Sequence, residues 1–292
     1  GDKSKPITED SKFIVLGDVN ISDTSIQSTD SEASLHLTDT DAFVESTGKM
    51  TTAGGMSVTA GANLYINGGS VAAAKNSFVD NANLEMNGGT LTIGSSTSSA
   101  NFGVANNGRL TLKNGALMTL NTTSSDLDPV VSQIGGTVLI DASKLVLNTT
   151  KNATFIANIT GNMSVLNGST ISFRNVNSLG VAANATLHVD KTSKIDGAVI
   201  SFKDNGSLST VKLDSGDSFT GQFKVVRARN NVIELAAGES YNFSGILFKQ
   251  QYNGQNCEII FDLNGAAGLT IGLFAGEVDN SYFDIVFRDF EN

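Results

Sequence analysis

The sequence predicts an all-β chain wound as a right-handed parallel β-helix, and three observations carry that expectation. The first is a duplication: "GANLYINGGS" (61–70) returns as "NANLEMNGGT" (81–90), with six of ten positions identical at an offset of 20. The second is composition. The chain has 30 Gly but only 2 Pro, and charged residues make up 16%, so Ser, Thr, Asn and Gly supply most of the polar surface. Long unbranched Lys and Glu, the usual covering of helices, are correspondingly few. The third is that the duplicated unit keeps returning, at gaps of 20 to 28 residues that suit one coil of a β-helix.

That unit is small–x–Φ–x–Φ, with Gly or Ala first and Φ apolar. Its first Φ falls at Leu64, Leu84, Leu110, Val138, Met163 and Leu187, with earlier echoes in "ASLHL" (33–37) and "GMSV" (55–58). A second parallel links "NGGTLTI" (87–93) to "NGSTISF" (167–173) at an offset of 80. Side chains alternate across a strand, so Φ–x–Φ buries two groups and exposes the one between. One such strand cannot bury its face alone; stacked copies can. Asn-Gly and Gly-Gly accept the positive φ of sharp corners, and variable gaps put extra residues into those corners. Asn67, Asn87 and Asn167 are expected at corners, as a ladder of amides inside the coil. Right-handed winding follows from the coil length and the usual hand of parallel crossovers.

No hexapeptide or nonapeptide period and no leucine-rich pattern occurs, and Trp is absent. A β-sandwich is the rival architecture, since Asn-Gly turns serve hairpins equally well. Residues 1–12 are expected to be a flexible segment. Residues 13–220 are expected to hold about eight to ten coils in a rod of roughly 40–50 Å. Beyond about 220 the unit disappears, and 219–292 holds nine of the 16 Phe and three of the four Tyr. Residues 221–292 are therefore expected to be a C-terminal capping β-subdomain that closes an otherwise open solenoid end.

The net charge of −10 and pI near 4.6 argue against a nucleic-acid partner, which needs clustered Lys and Arg. No apolar run reaches the length of a membrane-spanning helix, and no signal peptide opens the chain. "GDKSKPITED" (1–10) reads as the trimmed end of a mature protein. A single cysteine, Cys257, excludes an intrachain disulfide framework or a Cys-rich zinc site and is expected to be a small buried hydrophobe.

Few residues suggest chemistry, and no catalytic, cofactor or metal site is expected. His36 and His188 each occupy the x of an Φ–x–Φ strand, so both should point outward and lie far apart. Asp39 with Asp41, and Asp126 with Asp128, offer Asp-x-Asp oxygens to calcium but lack the remaining loop ligands. Asp190, Lys191, Lys194, Asp196, Arg227 and Arg229 are the carboxylates and cations that a β-helical polysaccharide-cleaving enzyme would use. Tyr65 is the one aromatic residue expected outward on a repeat strand, which leaves sugar stacking little support. Ten Asn-x-Ser/Thr triplets are close to the number this composition gives by chance.

The strand-and-turn units with "NGGTLTI" and "NGSTISF", the low charge and the Ser/Thr/Asn/Gly filling resemble the passenger regions of bacterial autotransporters and related β-helical surface adhesins. The resemblance covers about residues 13–220 and implies a rod displayed outside the cell, with a stable C-terminal capping segment. The membrane β-barrel that anchors such proteins has no counterpart here. The resemblance implies a non-catalytic extracellular adhesin whose side faces and loops meet a glycan or protein on a host or neighbouring cell. Two alternatives are a β-helical polysaccharide lyase or hydrolase, and a structural spacer whose ends make the contacts.

Overall fold

The computed structural model describes residues 12–15, 19–21, 25–27, 34–95, 100–122, 132–153, 157–176, 178–197, 199–276 and 283–289. Among them there is no helix, and every paired strand is parallel to its neighbour, which rules out the β-sandwich. The chain visits three sheets in turn and then returns one rung further along. A representative rung runs Met56–Thr59, Asn63–Asn67 and Ser70–Ala73; the next runs Ser77–Asp80, Asn83–Asn87 and Thr90–Ile93. The first and second sheets each hold 12 strands and the third holds 8. This is a β-solenoid. Nine rungs lie between Lys12 and Leu213, within the expected range.

The repeat unit is the rung. Leu64, Leu84, Leu110, Val138, Met163 and Leu187 are register partners in one column of the second sheet. All six are buried. The "small" position has a steric cause. Ala62, Ala82, Gly108, Gly136, Gly161 and Ala185 occupy the corner that enters this sheet, and each of their carbonyls accepts from the next rung at 2.9–3.1 Å. At Gly136 (φ +59) an added Cβ would lie 2.2 Å from the Gly108 carbonyl oxygen. The other parallel belongs to the third sheet, where Leu91, Met118, Leu145 and Ile171 are successive partners, so an offset of 80 spans three rungs. The echoes "ASLHL" and "GMSV" are neighbours on the first sheet, with Leu35 beside Met56 and Leu37 beside Val58; they are not earlier copies of the second-sheet unit.

The expected internal amide ladder is a correction. Asn87 and Asn167 are exposed and Asn67 is half-buried, and their side chains bond to neighbouring rungs on the outside. Asn67 Nδ2 donates to Glu45 at 3.2 Å, and Asn167 Nδ2 to Asp141 at 2.6 Å. The internal ladder is made of serine. Ser143 Oγ accepts from Ala116 N at 3.2 Å, Ser169 Oγ from Ser143 N at 3.0 Å, and Ser193 Oγ from Ser169 N at 3.1 Å. All three serines are buried. A hydroxyl is short enough to turn inward at a corner and satisfy a backbone N–H that faces the core, whereas an asparagine there would displace the packed aliphatic column. Asparagine instead supplies the left-handed backbone of the corners, at eight of the fourteen non-glycine positions with positive φ among the described residues.

The third sheet ends at Lys194–Asp196, and its last strand is covered by a turn in which Ser218 O accepts from Ile195 N at 2.8 Å. The described residues beyond 220 are built from the same parallel rungs: Gln222–Val226, Ser240–Lys249 and Gly268–Gly276 extend the first sheet, while Asn231–Glu234, Cys257–Asp262 and Phe283–Arg288 extend the second. What changes near 220 is the cross-section. With one wall lost, large rings fill the space that three walls of Leu and Val had closed. Phe223 packs against Phe219, Phe243 and Phe261 at ring-centroid distances of 5.4, 4.9 and 6.2 Å. Cys257 is buried here as a free thiol. The final rung departs from the alternating burial of the others: Leu273 is 61% exposed, Phe274 49% and Phe287 54%.

Candidate functional site

Because alternate side chains of each rung face outward, the solenoid displays columns of residues along its sides. The most organised column set is on the second sheet, between the strands Asp41–Glu45 and Arg109–Lys113. Phe43 and Tyr65 are register partners here and stack with centroids 5.0 Å apart and planes 13° apart. Phe43 was hidden in the sequence because its strand inverts the usual order, with the small Ala42 inward and the aromatic ring outward. On one flank of the pair, Asn63 Nδ2 donates to Asp41 at 2.6 Å and Asn83 Nδ2 to Asn63 Oδ1 at 2.9 Å. On the other, Asn67 bonds to Glu45, and Asn114 Nδ2 donates to Asn87 at 2.6 Å. Glu85 sits above Tyr65 and pairs with Lys113. Burial, and then the carboxylates of Asp41 and Glu85, push the Tyr65 phenol above its ordinary value. The hydroxyl is therefore a protonated donor at neutral pH. Two rings between two hydrogen-bonded rails form a half-exposed aromatic strip whose polar neighbours are already held in place.

A second feature lies on the first sheet. His36, Ser57 and Phe78 are consecutive partners there, and Phe78 is 43% exposed. His36 Nδ1 hydrogen-bonds Ser57 Oγ, and with Lys75 and Asn76 these residues line an open depression. His188 is on the second sheet, six rungs from His36, with its Nε2 2.8 Å from Asp214 Oδ2. Both histidines face outward and stand apart. The aspartate partner of His188 lies 26 residues downstream, one coil further on, so the coil period itself pointed to it.

Four of the six charged residues weighed as catalytic, Asp190, Lys191, Arg227 and Arg229, are held by a neighbour outside that set. Asp190 accepts from Asn167 N at 2.7 Å, and from Thr192 N and Oγ1 at 2.9 and 3.0 Å. Burial raises its pKa, but the hydrogen bonds from Asn167, Ser193 and Thr192 outweigh that and hold the carboxyl below the usual range. Lys191 pairs with Glu239 at 2.7 Å, which raises the lysine pKa and lowers that of the glutamate. Lys194 and Asp196 are exposed on the last strand of the third sheet. Arg227 lies 3.5 Å from Asp204, and Arg229 bonds to Glu258 at 3.1 Å. These contacts staple successive rungs and turns. They do not gather acids and bases round one substrate position.

Asp39 takes a left-handed turn conformation (φ 48), and Asp41 is bonded to Asn63. Among the described residues no group of three or more His, Cys, Asp or Glu could hold a metal ion. Asp126 and Asp128 lie outside the described residues, as does the segment 1–11. Among the described residues no helix is long and apolar enough to cross a membrane. No family model, curated protein or solved structure matches the chain.

Proposed function

We propose that the chain is a non-catalytic extracellular surface rod, adhesin-like, which presents the outward face of its second sheet to a glycan or protein on a host or neighbouring cell. The observation that carries this reading is the Phe43–Tyr65 stack between its two hydrogen-bonded rails. Aromatic rings provide contact area at low entropic cost, and the rails hold donors and acceptors in fixed positions beside them. A regular side face also repeats weak contacts along its length, which suits a partner that is itself extended.

The test is retention of the folded chain on immobilised glycans, matrix proteins and acidic polysaccharides, with soluble products assayed at the same time. The wild type is expected to be retained on at least one surface without cleaving it. The double substitution Phe43→Ala/Tyr65→Ala should weaken that retention by at least about tenfold while leaving circular dichroism unchanged. Release of shortened polysaccharide would replace this reading with that of a lyase or hydrolase. Absence of retention on every surface would leave the spacer.

A further inference from the structure

We infer that the partner of the second-sheet face is a second copy of this chain, docked face to face with the two rods antiparallel. The inference rests on the reading of that face as the docking side, and it names the occupant.

Four consecutive rungs carry the pattern, in three outward columns. Asp41, Asn63, Asn83 and Arg109 form the first; Phe43, Tyr65, Glu85 and Thr111 the second; Glu45, Asn67, Asn87 and Lys113 the third. Each of these side chains points outward, because the residues between them on the strands are buried. Rung by rung the face reads acid–ring–acid, amide–ring–amide, amide–acid–amide and base–hydroxyl–base. The charges at its two ends are not compensated within the chain. Asp41 and Glu45 accept from the neutral amides of Asn63 and Asn67, and no cation among the described residues pairs with either. Arg109 is exposed, and among the described residues its side chain has no hydrogen bond or ion pair. Lys113 holds Glu85 and keeps further donors. The pattern lies within residues 41–113. The corners that flank these rungs, 59–63, 80–83 and 105–109 on one side and 67–70 and 87–90 on the other, are all among the described residues.

A two-fold axis in the interface, along the strand direction and between the Tyr65 and Glu85 rungs, inverts the order of the rungs and keeps each column opposite itself. Asp41 then faces Arg109 of the second copy, and Glu45 faces Lys113 of the second copy, each pair occurring twice. Tyr65 faces Glu85, a phenol donor opposite a carboxylate. Asn63 faces Asn83 and Asn67 faces Asn87, so amides meet amides, and the Phe43 ring meets the Thr111 methyl. With the rods parallel instead, Asp41 would face Glu45 and Arg109 would face Lys113, opposing like charges at both ends. The antiparallel pairing matches every row. Such a contact is isologous and closes at two copies. The same axis brings Val19–Ile21 opposite Thr137–Asp141, giving six rungs at about 4.8 Å and a width of about 17 Å. That is roughly 500 Å² per copy and roughly 1,000 Å² in total, the low end for a specific contact, and the dimer is expected to be weak and salt-sensitive.

The test is sedimentation equilibrium of the folded chain with two reciprocal charge reversals, Asp41→Arg/Glu45→Lys and Arg109→Asp/Lys113→Glu, each checked for wild-type circular dichroism. The wild type is expected to show a monomer–dimer equilibrium that weakens as salt rises. Each reversal alone sets like charges against one another and should weaken the dimer at least about tenfold. An equimolar mixture of the two should restore association, because the positive rows of one variant then face the negative rows of the other. A wild type that stays monomeric to the highest concentration overturns the inference; if it is still retained on a glycan or matrix surface through Phe43 and Tyr65, the docking face stands and the occupant is wrong. Reversed variants that dimerise like the wild type overturn it too, as does a mixture that stays monomeric. Carbodiimide cross-linking of the wild type keeps the test open should a reversal misfold. Glu45 and Lys113 lie three rungs apart in one chain, roughly 14 Å, beyond the reach of a zero-length link. A Glu45–Lys113 link is therefore expected only in the covalent dimer, and dimers that lack it count against this pairing.

Discussion

At the scale of single residues the solenoid depends on small groups at crowded corners. Ser169 is the middle of the internal hydroxyl ladder, and its Oγ accepts from Ser143 N and donates to Leu166 O at 2.6 Å. Ser169→Ala should leave a buried N–H without an acceptor and cost about 1–3 kcal/mol in urea unfolding. Little in the sequence distinguishes these serines from surface ones, because their inward direction is set by the corner and not by a hydrophobic pattern. Gly and Ala before each Φ–x–Φ strand, by contrast, were legible, since the same small residue recurs wherever a Cβ would meet the carbonyl below. Asp190 adds a pH dependence. Its folded pKa is depressed, so its contribution is complete above the unfolded carboxylate value near 4 and is lost as pH falls through the lower folded value. Asp190→Ala should therefore lose less stability than the wild type between about pH 4 and pH 2 when both are followed by thermal unfolding. An equal loss would show that another carboxylate controls the acid limb.

At the scale of elements the informative contrast is between inward and outward aromatics. Phe243 is fully buried, with Phe219, Phe223, Tyr241 and Phe261 at centroid distances of 6.3, 4.9, 6.0 and 6.0 Å. Phe243→Ala should cost about 3–5 kcal/mol, because the rings around it belong to four different segments and cannot collapse together. Phe78→Ala on the first sheet should stay within about 0.5 kcal/mol, as befits an exposed side chain. Chemical denaturation of the two variants measures both. The second-sheet columns were readable from sequence because their apolar positions alternate strictly. The strands Asp41–Glu45 and Ser77–Asp80 were not, since each places Ala42 or Ser77 inside and a phenylalanine outside. The candidate surface was hidden for the same reason: its second ring breaks the rule by which strands were found.

At the scale of the whole molecule each rung touches only its neighbours, so stability should be graded along the rod. Amides of Asn63–Asn67 and Asn83–Asn87, paired on both sides, should exchange more slowly than those of Lys194–Asp196, the last strand of the third sheet. Uniform protection would mean that the solenoid opens only as one unit. The coil number was legible because period and rung are the same quantity. The route past residue 220 was not. Removing a wall replaces a short aliphatic strand by a turn and a ring, and no repeated unit marks that exchange. The end of the repeat was thus an end of pattern, while the parallel sheets continued.

The near-identity of consecutive second-sheet strands gives the chain a ruler. Asn63 and Asn83 hold the same register position on adjacent rungs, each following a small residue at the same corner. Excision of residues 63–82 would join Ala62 to Asn83 and regenerate the sequence Ala-Asn-Leu at that corner. The rod would lose one rung, roughly 4.8 Å, and no face would turn over. Length in this protein is therefore a countable trait that recombination between its own repeats can reset.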